Sequence, residues 1–261
     1  MLFNFACLFG AAVLAGALNS VAGGGSFITF PTLLFTGVPA IAANATNTVA
    51  LWPGSLASVG AYRQELATQR RPLLLLGSTS LVGGLFGAIL LLHTPQETFR
   101  RLIPYLLLVA TLLLIFGGQI SKRLKNHFSI HKAHLPGTES NDFKVLLGVS
   151  LLQLLIATYG GFFGGGIGIL MLASLTLLGM ENIHTLNAFK TLLASLINGV
   201  AVITFVLAGV VQWPQATLMI VGAIIGGYGG AFYARKLDPA LVRRFVIGIA
   251  LAMTLFFFIH G

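Results

Sequence analysis

Nearly all the charge in this chain is confined to gaps between long apolar stretches, and that pattern decides the solvent in which it folds. Apolar segments run over about 3–22, 40–61, 72–92, 102–118, 145–162, 185–207, 214–234 and 245–259. Each is close to the roughly 20 residues a helix needs to cross a bilayer. Charged residues make up 8% of the chain, against roughly 25% in a soluble domain, too few to cover a water-facing surface. The sequence therefore predicts an all-α polytopic membrane protein with about eight full transmembrane helices.

This frame removes several functions. The formal net charge is +9, but basic residues scattered over membrane loops form no continuous groove for nucleic acid. A single cysteine, Cys7, excludes a disulfide framework, a cysteine-ligated zinc and a redox pair. His127, His131 and His134 are loosely spaced among lysines and read as a solvated segment, so neither a metal nor another cofactor is expected. No positive charge precedes the first apolar run, which reads as a retained first helix rather than a cleaved signal.

Two shorter apolar pieces, 26–36 and 167–178, lie between the full-length segments. At about 1.5 Å per residue they reach roughly half the hydrocarbon thickness. They are expected to be half-length helices. Each follows a glycine run, Gly23-Gly24-Gly25 or Gly164-Gly165-Gly166, and each ends near a further glycine, Gly37 or Gly179. Glycine runs break helices, and the backbone groups they free are tolerated at membrane depth only against protein or a wet cavity.

The two halves match. Gly23–Gly25 pairs with Gly164–Gly166, Gly37 with Gly179, Asn44-Ala45 with Asn187-Ala188, Thr48 with Thr191, Pro72 with Pro214 and Arg100-Arg101 with Arg243-Arg244. The offset stays between 141 and 143 over the whole series, which points to a duplication. The expected division is a first membrane repeat over 1–118, a connecting loop over 119–144 and a second repeat over 145–261.

Charge in the loops orients the halves. If only the eight long segments cross, the halves are parallel. Arg63, Arg70, Arg71, Lys122, Arg123, Lys125, Lys132 and Lys144 then oppose Arg100, Arg101, Arg235, Lys236, Arg243 and Arg244. If the short pieces complete crossings, the second half is inverted and only Arg100 and Arg101 remain on the opposing side. The second arrangement has the stronger positive-inside asymmetry and is preferred. It places the middle loop in the cytoplasm and both termini outside an inner membrane.

Interrupted helices in inverted repeats are the usual construction of secondary transporters, with substrate held near the midplane where half-helix ends meet. Free N–H groups at such ends favour an anion. Asn44, Asn47 and Thr48 share one helical face, and Asn187, Lys190 and Thr191 repeat the spacing. Lys190 is the only Lys or Arg well inside an apolar segment, and every Asp and Glu lies in or beside a loop. The substrate is then its natural partner. The candidate binding residues are Gly23, Gly24, Gly25, Ser26, Asn44, Asn47, Thr48, Gly164, Gly165, Gly166, Asn187, Lys190 and Thr191. Against this stand close helix packing by the glycines, interhelical bonding by Asn and Thr, and snorkelling by Lys190. Trp52 and Trp213 read as interface anchors.

The first glycine run with Pro31 after it, the Asn/Thr segment following Gly37, and the return of this pattern from Gly160 onward resemble the TauE/SafE family of sulfite-exporter-like membrane proteins. The resemblance covers about residues 5–258. It implies an inner-membrane permease exporting small sulfur-containing anions such as sulfite, sulfoacetate or other organosulfonates. The second run continues as Ile167-Gly168 and has no serine matching Ser26, so the two half-sites differ. The expected partners are the anion and the bilayer, with a homo-oligomer compatible. An anion channel and a membrane-embedded enzyme are the alternatives. The enzyme is disfavoured because Gly24-Gly25-Ser26 lacks the closing glycine of a nucleophile elbow and no carboxylate lies within the membrane segments.

Overall fold

A computed structural model describes residues 2–21, 24–61, 66, 70–132, 139–178, 180, 182–234 and 239–260. Among these the chain forms α1 (Leu2–Val21), α2 (Ser26–Phe35), α3 (Ala40–Ala61), α4 (Arg70–His93) and α5 (Gln96–Lys132). It continues with α6 (Glu139–Phe162), α7 (Ile167–Leu177), α8 (Ile183–Leu207), α9 (Trp213–Ala234) and α10 (Pro239–His260). Among the described residues four stretches are long and apolar enough to cross a membrane unaided: Pro72–His93, Gln96–Gln119, His184–Leu207 and Leu241–Ile259. That is fewer than the eight full spans expected.

The two short helices appear where the glycine runs place them, with 10 residues in α2 and 11 in α7. Gly37 ends α2 with φ +85°, while Val38 N–H donates to Leu33 O and Gly37 N–H to Leu34 O. These bonds cap carbonyls that the helix leaves open, and only glycine adopts this backbone without strain. Asn182 starts α8 by accepting a bond from the His184 N–H at 2.8 Å, an N-cap satisfying one of the free first-turn donors.

The expected loop over 119–144 is mostly helical instead. Helix α5 runs on to Lys132 and α6 begins at Glu139. Its Lys, Arg and Leu residues are good helix formers, and no breaker intervenes before Pro136-Gly137. Charge there marks departure from the apolar span, and the helix itself continues.

Packing interleaves the two halves of the chain. Helix α1 lies along α9 and α4 along α6, with α3 against α8 and α5 against α10. Small residues allow the close approaches: a Cβ on Gly16 would strike the Ala223 carbonyl, and one on Gly87 the Thr158 carbonyl. Helices α5 and α10 run antiparallel, bringing together Gly118 with Arg243, Thr111 with Thr254 and Tyr105 with Phe258. One core cluster gathers Phe27, Phe30, Leu107, Phe163, Phe205 and Val246, and a second lies among α4, α6, α7 and α8 around Met171, Phe189 and Leu193.

Trp52 corrects its expected role at the interface. Its indole N–H donates to the Ser195 carbonyl at 3.0 Å and its ring rests on Gly199, tying α3 to α8. Trp213, at the start of α9, is half exposed.

Candidate anion site at the glycine breaks

A narrow cavity opens at the start of α2, lined by Ser26, Phe27, Phe30, Asn44, Asn47, Leu107, Phe163 and Gly165. Its walls come from both halves of the chain. Four of the expected binding residues, Ser26, Asn44, Asn47 and Gly165, meet there. The free volume accommodates about one water molecule.

The first glycine run serves packing as well as the site. Gly24 has φ +89°. A Cβ on Gly25 would lie 2.7 Å from the Ala15 carbonyl oxygen, so glycine lets α2 close on α1. The Gly25 N–H is already used, donating to Asn19 Oδ1 at 2.8 Å. Phe27 N–H turns back to Gly24 O at 3.0 Å and Ile28 N–H to Gly25 O at 3.0 Å. Among the described residues, that leaves the N–H groups of Gly24 and Ser26 without a hydrogen bond at this helix start. The expectation of several free donors is thus reduced to two backbone N–H groups and the Ser26 hydroxyl.

The second run keeps more. Gly164 and Gly166 have φ +83° and +78°, and Gly164 N–H donates to Tyr159 O at 3.3 Å. Among the described residues the N–H groups of Gly165, Gly166, Ile167 and Gly168 make no hydrogen bond. A Cβ on Gly165 would lie 2.8 Å from the Phe163 ring and 3.1 Å from Ala110 Cβ, so a side chain there would displace part of the wall.

The side chains on α3 are held in place. Asn47 is 4% exposed, and its Oδ1 accepts from the fully buried Thr29 hydroxyl. Its Nδ2 has no partner among the described residues. Asn44 donates from Nδ2 to the Phe162 carbonyl at 3.1 Å, joining α3 to the segment before the second glycine run. The hydroxyl of Thr48 donates to Asn44 O at 2.9 Å and takes no place in the wall. Phe30 and Phe163 meet edge to face, centroids 5.6 Å apart, across the two halves.

Asn187, Lys190 and Thr191 are half-buried on α8 and outside the cavity wall. The Lys190 stem lies against α7, where a Cβ on Gly168 would sit 3.3 Å from its Cδ. Among the described residues Lys190 has no carboxylate partner. Gly23, Gly179 and His134 lie outside the described residues, as do the side chains of His127 and His131. Sequence reasoning missed Asn19, Thr29 and the aromatic wall. Only Thr29 carried a local signal, lying three residues after Ser26 on the same helical face.

The sulfite exporter TauE/SafE family matches residues 8–257, almost the whole chain and both glycine breaks. The chain belongs to that family. Among similar proteins, one from Haemophilus influenzae named "probable membrane transporter protein" is 28% identical over 95% of this chain and 92% of its own length. One from a Sinorhizobium species, "probable membrane transporter protein ORF9", is 28% identical over 96% of this chain and 90% of its own. The Escherichia coli K12 protein "probable membrane transporter protein YfcA" is 26% identical over 95% and 87%. No solved structure matches the chain. The TauE/SafE membership and these relatives identify a multi-pass membrane protein of a transporter family.

Proposed function

We propose that the protein is a secondary transporter of small anions, exporting sulfur oxyanions or organosulfonates by alternating access between two inverted repeats. The observation that carries the reading is the cavity itself. It joins Ser26 at the first glycine break to Gly165 at the second, between the amides of Asn44 and Asn47. Its unspent polar groups are mainly donors, the Ser26 N–H and hydroxyl, the Gly165 N–H and Asn47 Nδ2, beside one acceptor, Asn44 Oδ1. Among the described residues no carboxylate lines it. A donor-rich, carboxylate-free pocket at a half-helix N-terminus favours an oxyanion over a cation.

Inversion of the repeats is supported by helix direction. Parallel halves would make α5 and α10 parallel, and these helices run antiparallel. Gln96 accepts from the Ile41 N–H and Thr46 from the Gln212 N–H, so the connections after α4 and α8 both meet the start of α3. Those connections then share one face, as an inverted second half requires. In this orientation 119–144 is cytoplasmic and the termini are outside an inner membrane.

Lys190 supplies the fixed positive charge of the second half-site, reached when α7 and α8 rearrange around Gly168. Outward movement of a monoanion gains about 2.3 kcal/mol per 100 mV of interior-negative potential, so export needs no titrating carboxylate. The substrate class is tested by stabilisation of the purified protein. Sulfite or sulfoacetate at about 100 times Kd raises the unfolding free energy by about 2.7 kcal/mol. Stabilisation by cations or neutral solutes, with none from sulfite, sulfonates, sulfate or carboxylates, contradicts the reading.

A further inference from the structure

Arg243, in the first turns of α10, is half-buried and held against α5. Its Nη2 donates to the Leu114 carbonyl at 2.7 Å. Gly118 clears the space beside it, since a Cβ there would lie 3.4 Å from Nη1. A guanidinium has five N–H donors, and the remainder of this one has no partner among the described residues. Arg101, by contrast, pairs with Glu97 at 3.2 Å.

The position of Arg243 is connected to the cavity. Leu114, whose carbonyl anchors it, and Val246, one turn further along α10, both pack on Gly24: a Cβ there would lie 3.9 Å from Leu114 Cδ1 and 2.8 Å from Val246 Cγ1. Gly24 is two residues before Ser26. On α5, Leu107 walls the cavity and Leu114 lies seven residues on, about 10 Å along the same helical face. The guanidinium therefore lies beside the turn of α5 that packs on the first glycine break, on the side where α5 leaves its apolar span toward 119–144. If Arg243 served only to pin α10 to α5, one bond to a carbonyl already within a helix would be a small return for placing a cation there. A planar fork with open donors matches the oxygens of an oxyanion.

We propose that Arg243 is a second anion site, at the mouth facing the 119–144 segment, where the substrate is held before it passes Gly24 to Ser26. The inference rests on the transporter reading above and names a residue it does not use.

Calorimetric titration of the full-length protein with sulfite, in detergent free of anionic lipid, tests it with Arg243→Gln, Arg243→Lys and Asn47→Asp in parallel. The expected result is about tenfold weaker sulfite binding to Arg243→Gln, a smaller loss for Arg243→Lys, and an unfolding temperature matching wild type for both. Arg243→Lys keeps the charge and a donor for the Leu114 carbonyl but not the fork, which keeps the comparison valid if the glutamine variant folds poorly. A titration of Arg243→Gln that superimposes on wild type overturns the proposal, as does a deficit that appears only with added anionic lipid, which would assign the guanidinium to a lipid phosphate. Binding sensitive to Asn47→Asp but not to Arg243→Gln removes the mouth site alone. Sensitivity to Arg243→Gln without sensitivity to Asn47→Asp removes the central site and leaves the mouth. No sulfite binding by wild type refutes both. In sealed vesicles of opposite orientation, the half-saturating sulfite concentration should rise for Arg243→Gln only from the 119–144 side. A rise equal from both sides speaks for packing.

Discussion

Replacing Asn47 by Asp changes one atom in the wall of the cavity and reverses what the wall offers an anion. The exchange is nearly isosteric. Thr29 donates its hydroxyl to Asn47 Oδ1, and an aspartate oxygen accepts the same bond with added charge assistance. The fold should survive. What is lost is the Nδ2 donor, and what is gained is a negative charge about 5 Å from a bound monoanion, a repulsion of about 3 kcal/mol at an effective dielectric of 20. That corresponds to roughly a few hundredfold in Kd. A sulfite concentration that stabilises wild type by about 2.7 kcal/mol would stabilise the variant by only about 0.2 kcal/mol. Thermal unfolding with and without sulfite reads this directly, with unliganded unfolding temperatures as the control. Equal or tighter binding by Asn47→Asp would refute an anion at this wall and point to a cation.

Three further outcomes follow from the same geometry. Lys190→Gln should lower anion flux into proteoliposomes by about tenfold or more at matched expression, the loss of a charge-assisted bond; near-normal flux would return Lys190 to a snorkelling role. Gly166→Ala should destabilise by about 1–2 kcal/mol because its φ of +78° is strained for alanine, although the nearest backbone atom to the new Cβ, at 3.4 Å, leaves space. Gly248→Ala, in open space on α10, should be neutral or stabilising by up to about 1 kcal/mol, and equal losses at the two positions would contradict the backbone argument. In a Cys7→Ser background, Pro95→Cys and Ala208→Cys should react with an impermeant thiol reagent from the same side; labelling from opposite sides would restore parallel halves.

The half-helices were legible because their cause is local. Glycine runs break a helix wherever they fall, and positive φ at Gly24, Gly164 and Gly166 is the physical form of that break. Asn44 and Asn47 were legible from spacing, since residues three apart share a helical face. What spacing could not show is how each polar group is spent. Thr48 has the same signature as its neighbours but turns its hydroxyl to its own helix, and Asn19 takes the Gly25 N–H through a contact that depends on how α1 meets α2. Trp52 misled because its partners, Ser195 and Gly199, lie on α8 in the other half of the chain. The aromatic wall was hidden for the same reason: among 20 phenylalanines, only tertiary packing selects Phe27, Phe30 and Phe163. Helix α5 exceeded expectation because charge density was read as a loop, whereas its residues favour a helix in water as well as in lipid.

In the proposed transport cycle, two inverted halves carry an anion by alternately exposing the site at Ser26, Asn47 and Gly165. Counterflow separates such a cycle from a pore. Proteoliposomes preloaded with unlabelled sulfite and diluted into trace labelled sulfite should transiently accumulate label above the external concentration, and Asn47→Asp should abolish that overshoot. Label that only equilibrates, with no overshoot at any internal concentration, would contradict alternating access and leave a channel.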